Sequence, residues 1–445
     1  MSGNTPVSRR TFLTRTAAGT AAVAMFHIVP RHVLGGPGYL APSQTITRAI
    51  IGCGTISADP AHLRPNQPGT PPQTLAVCDV DQQHLADRLR LAGEPCKPYA
   101  DWRYVLDHKD IDVVHICTPP HWHALMAVAA AQAGFDIWCE TPMTRFIAEG
   151  QHVIDAVRRY GRVLGINVSS RADNYYGFGH SRLLKKLVRS GLLGQPLTVR
   201  VGRSTGFDWK VRQWTGRTDL TPQPVPGHLD YDMWLGPAPD KPYHPHRVHT
   251  SFRGYWDYDG GGLADMGQHY LDPIQYILDK DDTSPVEVQA KAPWPPHPDA
   301  VGLWQRVDLT YDDGTHLILD AGPQSPTDAI DGTGNAEPPA MPLIQGPRGK
   351  VFAAYRTDPP GLFEQLHAYP DPEPMLFDFD ESVRTRQTFG LNEVNANRST
   401  ILIHLANAAI RTGRKLRFDP VNLRFVDDDD ANRLVNIPMR APWHL

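Results

Sequence analysis

The sequence predicts an α/β domain followed by an α+β domain, and two patterns carry that expectation. Between about residues 45 and 166, short apolar strand-like runs alternate with helical stretches, the pattern of a parallel sheet covered by helices on both faces. Beyond about Ser170 the alternation stops. Strands then follow one another around turns such as Asp312-Asp313-Gly314, the pattern of a mostly antiparallel sheet. At 445 residues the chain is long enough to bury a core in each part.

Taken in order, residues 45–53 (T-I-T-R-A-I-I-G-C) read as a strand running into a glycine turn, and Thr74–Cys78 is a second strand ending on Asp79. Helices are predicted at Gln82–Ala92, 124–133 and 148–160, and strands at 113–117, Asp136–Cys139 and 162–166. In the second part a helix at 180–190 stops at Gly191. Strands follow at 197–202, 286–292, 305–311, 316–321 and 350–354, and a helix at 397–411 is closed by Gly413. Two irregular stretches, 206–256 and 322–342, are too long to be plain connections. The acidic run 427–430 is placed to cap a short tail helix at 431–435. The expected organisation is a leader and linker at 1–45, the α/β domain at 46–168, the α+β domain at 169–420, and a tail at 421–445.

Bulk composition narrows the function. A formal net charge of -4, with Lys and Arg scattered along the chain, points away from nucleic acid and towards a small-molecule ligand. The N-terminus carries an address. Ser8-Arg9-Arg10-Thr11-Phe12-Leu13 matches the twin-arginine export pattern, and an alanine-rich apolar run at 16–29 follows it. Ala22-Val23-Ala24 offers a cleavage site, but the run stays apolar beyond it, so removal and retention as an anchor both stand. The expected location is the periplasm or another exported compartment, with the twin-arginine machinery as a partner. Five cysteines without a C-x-x-C read as buried thiols.

The chemistry-bearing positions fall at strand ends. Gly52-Cys53-Gly54-Thr55-Ile56 after the first strand, with Asp79 after the second, begins a dinucleotide fingerprint in which the acid accepts hydrogen bonds from a ribose and favours NAD over NADP. Two features weaken it: Ser57 stands at the third glycine, and Pro60 and Pro65 confine the first helix to a turn or two. Thr118-Pro119-Pro120-His121-Trp122-His123 forms a loop after a strand, able to wall a nicotinamide ribose. His121 and His123 lack an evident third ligand, and the His244, His246, His249 group, interrupted by Pro245 and Arg247, reads as a substrate-side loop or plain surface; no metal site is expected. In G-G-G-L-A-D-M-G-Q-H-Y-L-D-P, residues 260–273, Asp265 and His269 fall four residues apart on one helical face. A carboxylate tuning an imidazole is an acid/base pair suited to neutral pH.

Together these motifs, I-G-C-G, C-D-V-D, I-C-T-P-P-H-W-H-A, C-E-T-P-M-T and G-G-G-L-A-D-M-G-Q-H in this order, resemble the Gfo/Idh/MocA oxidoreductases, the family of glucose-fructose oxidoreductase and inositol dehydrogenase. The resemblance covers about residues 46–420. It implies a Rossmann domain, an open-sheet domain often used for oligomer contacts, a nicotinamide cofactor and a sugar or polyol substrate. Carried over by position, it puts Gly52, Gly54, Asp79, Thr118, Pro119, His123 and Glu140 beside the cofactor, and Asp265 and His269 on the catalytic helix. One position departs: the family's usual Glu-Lys-Pro reads Glu140-Thr141-Pro142, and Thr141 has no ammonium to offer. Trp209, Trp234, Arg253 and Trp256 either line the sugar site or are core or surface residues. The leading expectation is an exported, homo-oligomeric sugar or polyol oxidoreductase with tightly held NAD. Redox-neutral glycoside cleavage by oxidation and elimination is a second, and a sugar-binding protein on an impaired enzyme fold a third.

Overall fold

A computed structural model describes residues 45–67, 73–168, 171, 180–322, 341–352 and 355–445. Residues 8–29, where the export pattern and its cleavage were expected, and most of the stretch 322–342 lie outside the described residues.

The first sheet is parallel, in the order β3-β2-β1-β4-β5-β6, with β1 Arg48–Ile51, β2 Thr74–Cys78, β3 Lys97–Tyr99, β4 Val113–Ile116, β5 Asp136–Cys139 and β6 Leu164–Ile166. Strands β1 and β4 are buried throughout. That is why they read as unbroken apolar runs: helices cover both faces. Strand β3 was not expected, because K-P-Y is short, half-exposed and proline-bearing, as an edge strand is. The first helix, α1 at Pro60–Leu63, is a single turn, as the prolines dictate. Helix α2, Gln82–Ala92, starts where the Asp81 carboxylate accepts from the Gln83 and His84 N–H groups and stops at Gly93. Helix α3, His123–Ala133, ends on the left-handed Gly134. Helix α4, Ile147–Arg159, begins with Glu149 accepting from the Arg145 and Phe146 N–H groups.

The second sheet has nine strands among the described residues, ordered β13-β12-β11-β7-β10-β9-β8-β14-β15. In chain order the elements are α5 Ser181–Ser190, β7 Thr198–Gly202, α6 Tyr231–Leu235, α7 Gly261–Ile277, β8 Glu287–Lys291, β9 Arg306–Thr310 and β10 His316–Asp320. They continue with β11 Ile344–Gly346, β12 Gly349–Val351, β13 Thr357–Asp358, α8 Phe379–Thr385, α9 Glu393–Thr412, β14 Leu416–Asp419, β15 Arg424–Phe425 and α10 Asp429–Asn432. All pairings in this sheet are antiparallel except β7 with β10. The strand expected at 350–354 is shorter, and α6, β11, β13, α8, β14 and β15 were not foreseen. Helix α9 begins four residues before its expected start, because the Asn392 side chain accepts from the Val394 and Asn395 N–H groups. Asp428 caps α10 as the acidic run suggested.

Helices α7 and α9 cross in the core of the second domain, where a side-chain carbon on Gly267 would fall 2.7 Å from Ile403 Cγ1. Helix α8 reaches back to the first sheet: Phe379 meets the Trp138 ring edge-on at 4.9 Å between centroids. The C-terminal tail spans both parts. Arg440 donates to the Gly236 carbonyl at 2.9 Å, and Trp443 packs edge-on against Trp122 at 4.9 Å with Arg103 stacked on its ring.

Candidate active site

The site is assembled from three strand-end loops and one helix. After β1 the backbone turns at Gly52, whose φ is +97°. A Cβ there would fall 2.6 to 2.8 Å from the backbone of Cys117 and Thr118, so only glycine lets the first and fourth strand ends approach. The loop is held from below: Arg88 of α2 donates to the Cys53 and Gly54 carbonyls at 3.0 and 2.8 Å, and Ser57 Oγ donates to the Gly54 carbonyl. Ser57, at the position of the missing third glycine, is thus a loop brace.

Asp79 accepts from the Cys53 N–H at 2.6 Å and from the Asp81 N–H at 2.7 Å. Burial pushes its carboxyl up, against the pull of those two N–H groups. A carboxylate has about four acceptor sites, so room for a ribose diol remains. Gly54 faces open space, Thr55 and Ile56 are exposed, and Arg88 Nε and Nη1 are buried without a hydrogen-bond partner. An open, donor-rich loop above a buried guanidinium, flanked by an acid at the next strand end, fits a dinucleotide.

From this loop a chain of contacts leads to helix α7. Thr118 and Pro119 are half-buried at the end of β4. His123 is fully buried, with Nδ1 2.7 Å from the Pro142 carbonyl and Nε2 2.7 Å from the Thr118 carbonyl. Expected beside the cofactor, its ring instead ties the loops after β4 and β5 together, because both nitrogens are occupied there. The Glu140 carboxylate is also turned inwards, onto His115 Nε2 at 2.8 Å and Asn167 Nδ2 at 2.9 Å. Met143 N–H donates to Gln268 of α7 at 3.0 Å, and Thr141 Oγ1 lies 3.3 Å from His269 Nε2.

Within α7, every residue is buried except Asp265 and His269. This pair alone, four residues apart on one face as their spacing predicts, is left partly exposed on the helix. Desolvation holds the His269 imidazole below its usual range. Asp265 and then Glu140 oppose this, and the Lys210 ammonium adds to it. The two partners expected to form a dyad are coupled through charge: the Asp265 carboxylate is taken by Trp214 Nε1 at 2.7 Å and by Arg253 Nε.

Arg253, expected at the sugar, instead grips Asp265 and stacks on Trp214 at 4.9 Å. Trp209, Trp234 and Trp256 are 1, 6 and 2% exposed, packed in the hydrophobic interior, and the Trp209 and Trp256 indole N–H groups donate to the Val201 and His297 carbonyls. They are core residues, the alternative left open for them. Trp209 still shapes the site from behind, since a Cβ on Gly262 would strike its carbonyl oxygen. Trp214, Lys210, Asp259 and the His115–Asn167 brace have no signature that singles them out in the sequence. Only His115 leaves a trace there, a polar residue inside the apolar strand V-V-H-I-C.

Residues 46–168 match the family model described as an oxidoreductase family, NAD-binding Rossmann fold, and residues 179–445 match that family's C-terminal alpha/beta domain. Inositol 2-dehydrogenase of Salmonella typhimurium is 33% identical over 158 residues, 35% of this chain and 45% of the relative. Levoglucosan dehydrogenase of Pseudarthrobacter phenanthrenivorans is 40% identical over 129 residues, 29% of this chain and 32% of that protein. The chain thus spans about half, or less, of the length of these curated relatives. Among solved structures, the WlbA dehydrogenase from Bordetella pertussis in complex with NADH and UDP-GlcNAcA aligns with a TM-score of 0.55 and 18% identity over 84% of this chain and 99% of that one. An aldose-aldose oxidoreductase from Caulobacter crescentus aligns at 0.50 and 19%, over 84% and 100%. At such identities the likeness establishes the fold.

Proposed function

We propose, for a chain that belongs to the Gfo/Idh/MocA oxidoreductase family, that it is an exported NAD-dependent oxidoreductase acting on a hydroxyl of a sugar or polyol. The carrying observation is the 3.3 Å approach of Thr141 Oγ1 to His269 Nε2, which joins the cofactor-side loop after β5 to the one accessible pair on a buried helix. Relatives named inositol 2-dehydrogenase, levoglucosan dehydrogenase and D-apiose dehydrogenase support the substrate class. When bound, the nicotinamide supplies the hydride acceptor. His269, kept neutral by desolvation, takes the substrate hydroxyl proton at Nε2. Thr141 Oγ1 orients that nitrogen, and Asp265, fixed by Trp214 and Arg253, favours the imidazolium that forms. Asp79 receives the adenosine ribose and disfavours a 2′-phosphate, which favours NAD over NADP.

Export rests on the twin-arginine pattern at 8–13. An exported enzyme meets little free NAD, so the dinucleotide is held tightly and cycled in place. Self-association would use the outer face of the second sheet. We expect protein purified from its exporting host to release NAD on denaturation, identified by mass spectrometry; protein free of nucleotide would sink this reading. His269→Ala should lower kcat about 10²–10⁴-fold on the substrate sugar with NAD still bound. A second reading, redox-neutral glycoside cleavage, is favoured by Thr141 in place of lysine. Thr141→Lys should raise dehydrogenase turnover under the first reading and leave aglycone release without NADH under the second.

A further inference from the structure

A second cluster of side chains lies beside the nucleotide loop but outside the proposed reaction. Asp81 Oδ1 is committed to capping α2, accepting from the Gln83 and His84 N–H groups at 2.8 and 3.3 Å. Its other oxygen is faced by imidazoles. His249 Nε2 lies 3.4 Å and His228 Nε2 3.6 Å from Asp81 Oδ2. The His84 ring stands 4.6 Å from that of His249, and one ligand atom each from Asp81, His84 and His249 fall within 4.8 Å of one another.

These separations are informative. Two ligands held about 2.1 Å from one ion at the tetrahedral angle sit roughly 3.4 Å apart, longer than a good charged hydrogen bond and close to the separations of His249 and His228 from Asp81 Oδ2. The other His/Glu group, His62, His115 and Glu140, lacks this spacing: its 2.8 Å His115–Glu140 contact is a closed hydrogen bond, and Asn167 already donates to Glu140 at 3.2 and 2.9 Å.

The ligands are also pre-placed from two parts of the chain. Asp81 and His84 sit on the cap and first turn of α2. His228 is held against them by backbone pairing, with Gln82 N–H donating to the His228 carbonyl at 2.9 Å, Asp230 N–H to the Val80 carbonyl at 3.0 Å, and a bridge between Asp81 and Leu229. His249 opens the short helical segment His249–Gly254. Side-chain exposures of 34% for His228 and 37% for His249 leave an ion a way in.

We infer that Asp81, His84, His228 and His249 form a binding site for one divalent transition-metal ion of the zinc class, fastening the irregular stretch 206–256 to the nucleotide-binding domain. Three imidazoles and one carboxylate suit zinc or cobalt and disfavour magnesium or calcium, which prefer all-oxygen shells. Asp81 N–H bonds Asp79, so the ion would stiffen the ribose-accepting strand end without entering the chemistry.

The test uses the untagged full chain, stripped with chelator and titrated with Co²⁺. We expect about one equivalent bound, with the visible absorption of a four-coordinate site, displaced by Zn²⁺ and not by Mg²⁺. His249→Ala and the solvent-accessible His228→Gln should each weaken Co²⁺ at least about tenfold. His246→Ala, whose ring bonds Tyr255 instead, should bind as the parent does. A stripped chain that binds no Co²⁺, or one whose stoichiometry and spectrum survive both ligand variants, overturns the inference.

Discussion

His269 sits among charges of both signs, and its pH behaviour follows from them. Asp265 stabilises the imidazolium and Lys210 destabilises it, while desolvation keeps the group below its ordinary value. Activity on the substrate should therefore rise with pH through an acid limb lying below the usual histidine range and then level off. Asp265→Asn removes the stabilising charge and should shift that limb to lower pH; Lys210→Met removes the opposing one and should shift it higher. Limbs that move together, or not at all, would show that another group titrates. Lys210 also supplies a cation near His269 where Thr141 provides none. The pair itself was legible in the spacing of Asp265 and His269, whereas Trp214 and Arg253, which hold the carboxylate, are 51 and 12 residues away from it along the chain and leave no local pattern.

Among elements, the turn after β1 and the C-terminal tail make opposite points. Gly52 is readable from sequence because a strand running into a glycine turn has few alternatives. Its φ of +97°, with backbone atoms 2.6 Å from where a methyl group would sit, accounts for the choice. Gly52→Ala should cost about 2 kcal/mol or more and abolish retained nucleotide; thermal unfolding and nucleotide content measure both. The tail, by contrast, carries no periodic signal. Its Trp443 finds Trp122 and Arg103 only once the first domain is folded and the tail has returned to it. Trp443→Ala should lower stability by about 1–2 kcal/mol while leaving the second domain's core untouched, a change that differential scanning calorimetry would detect. The short strands β3, β11 and β13 were missed for a related reason: with two or three residues each, they owe their conformation to the strand beside them.

For the molecule as a whole, buried acids set the response to pH. Burial pushes the Asp259 carboxyl up to about 7 against Arg253, with Asp265 adding to the rise and Arg145 opposing it; burial likewise lifts Glu149 to about 7. A carboxyl whose folded value exceeds its unfolded one keeps its proton longer when folded, so its contribution to stability is lost as pH rises from the ordinary carboxylate range towards 7. Asp259→Asn should therefore hold its melting temperature better than the parent between about pH 5 and 8, and parallel melting curves across that range would remove Asp259 as the cause.

What the sequence determined by itself was periodic or local: the parallel alternation, the change to an antiparallel sheet, the capped helices, the glycine turn and a helix presenting Asp265 and His269 together. Each follows from backbone geometry acting over a few residues. The tertiary structure alone decided which side of a residue faces the cleft and which faces the core. It turned Glu140 and His123 inwards, buried three tryptophans, gave Arg253 to Asp265, gathered Asp81, His84 and His249, and set His228 facing Asp81. Those outcomes depend on contacts between residues far apart in sequence, where packing and charge rather than local propensity set the energy.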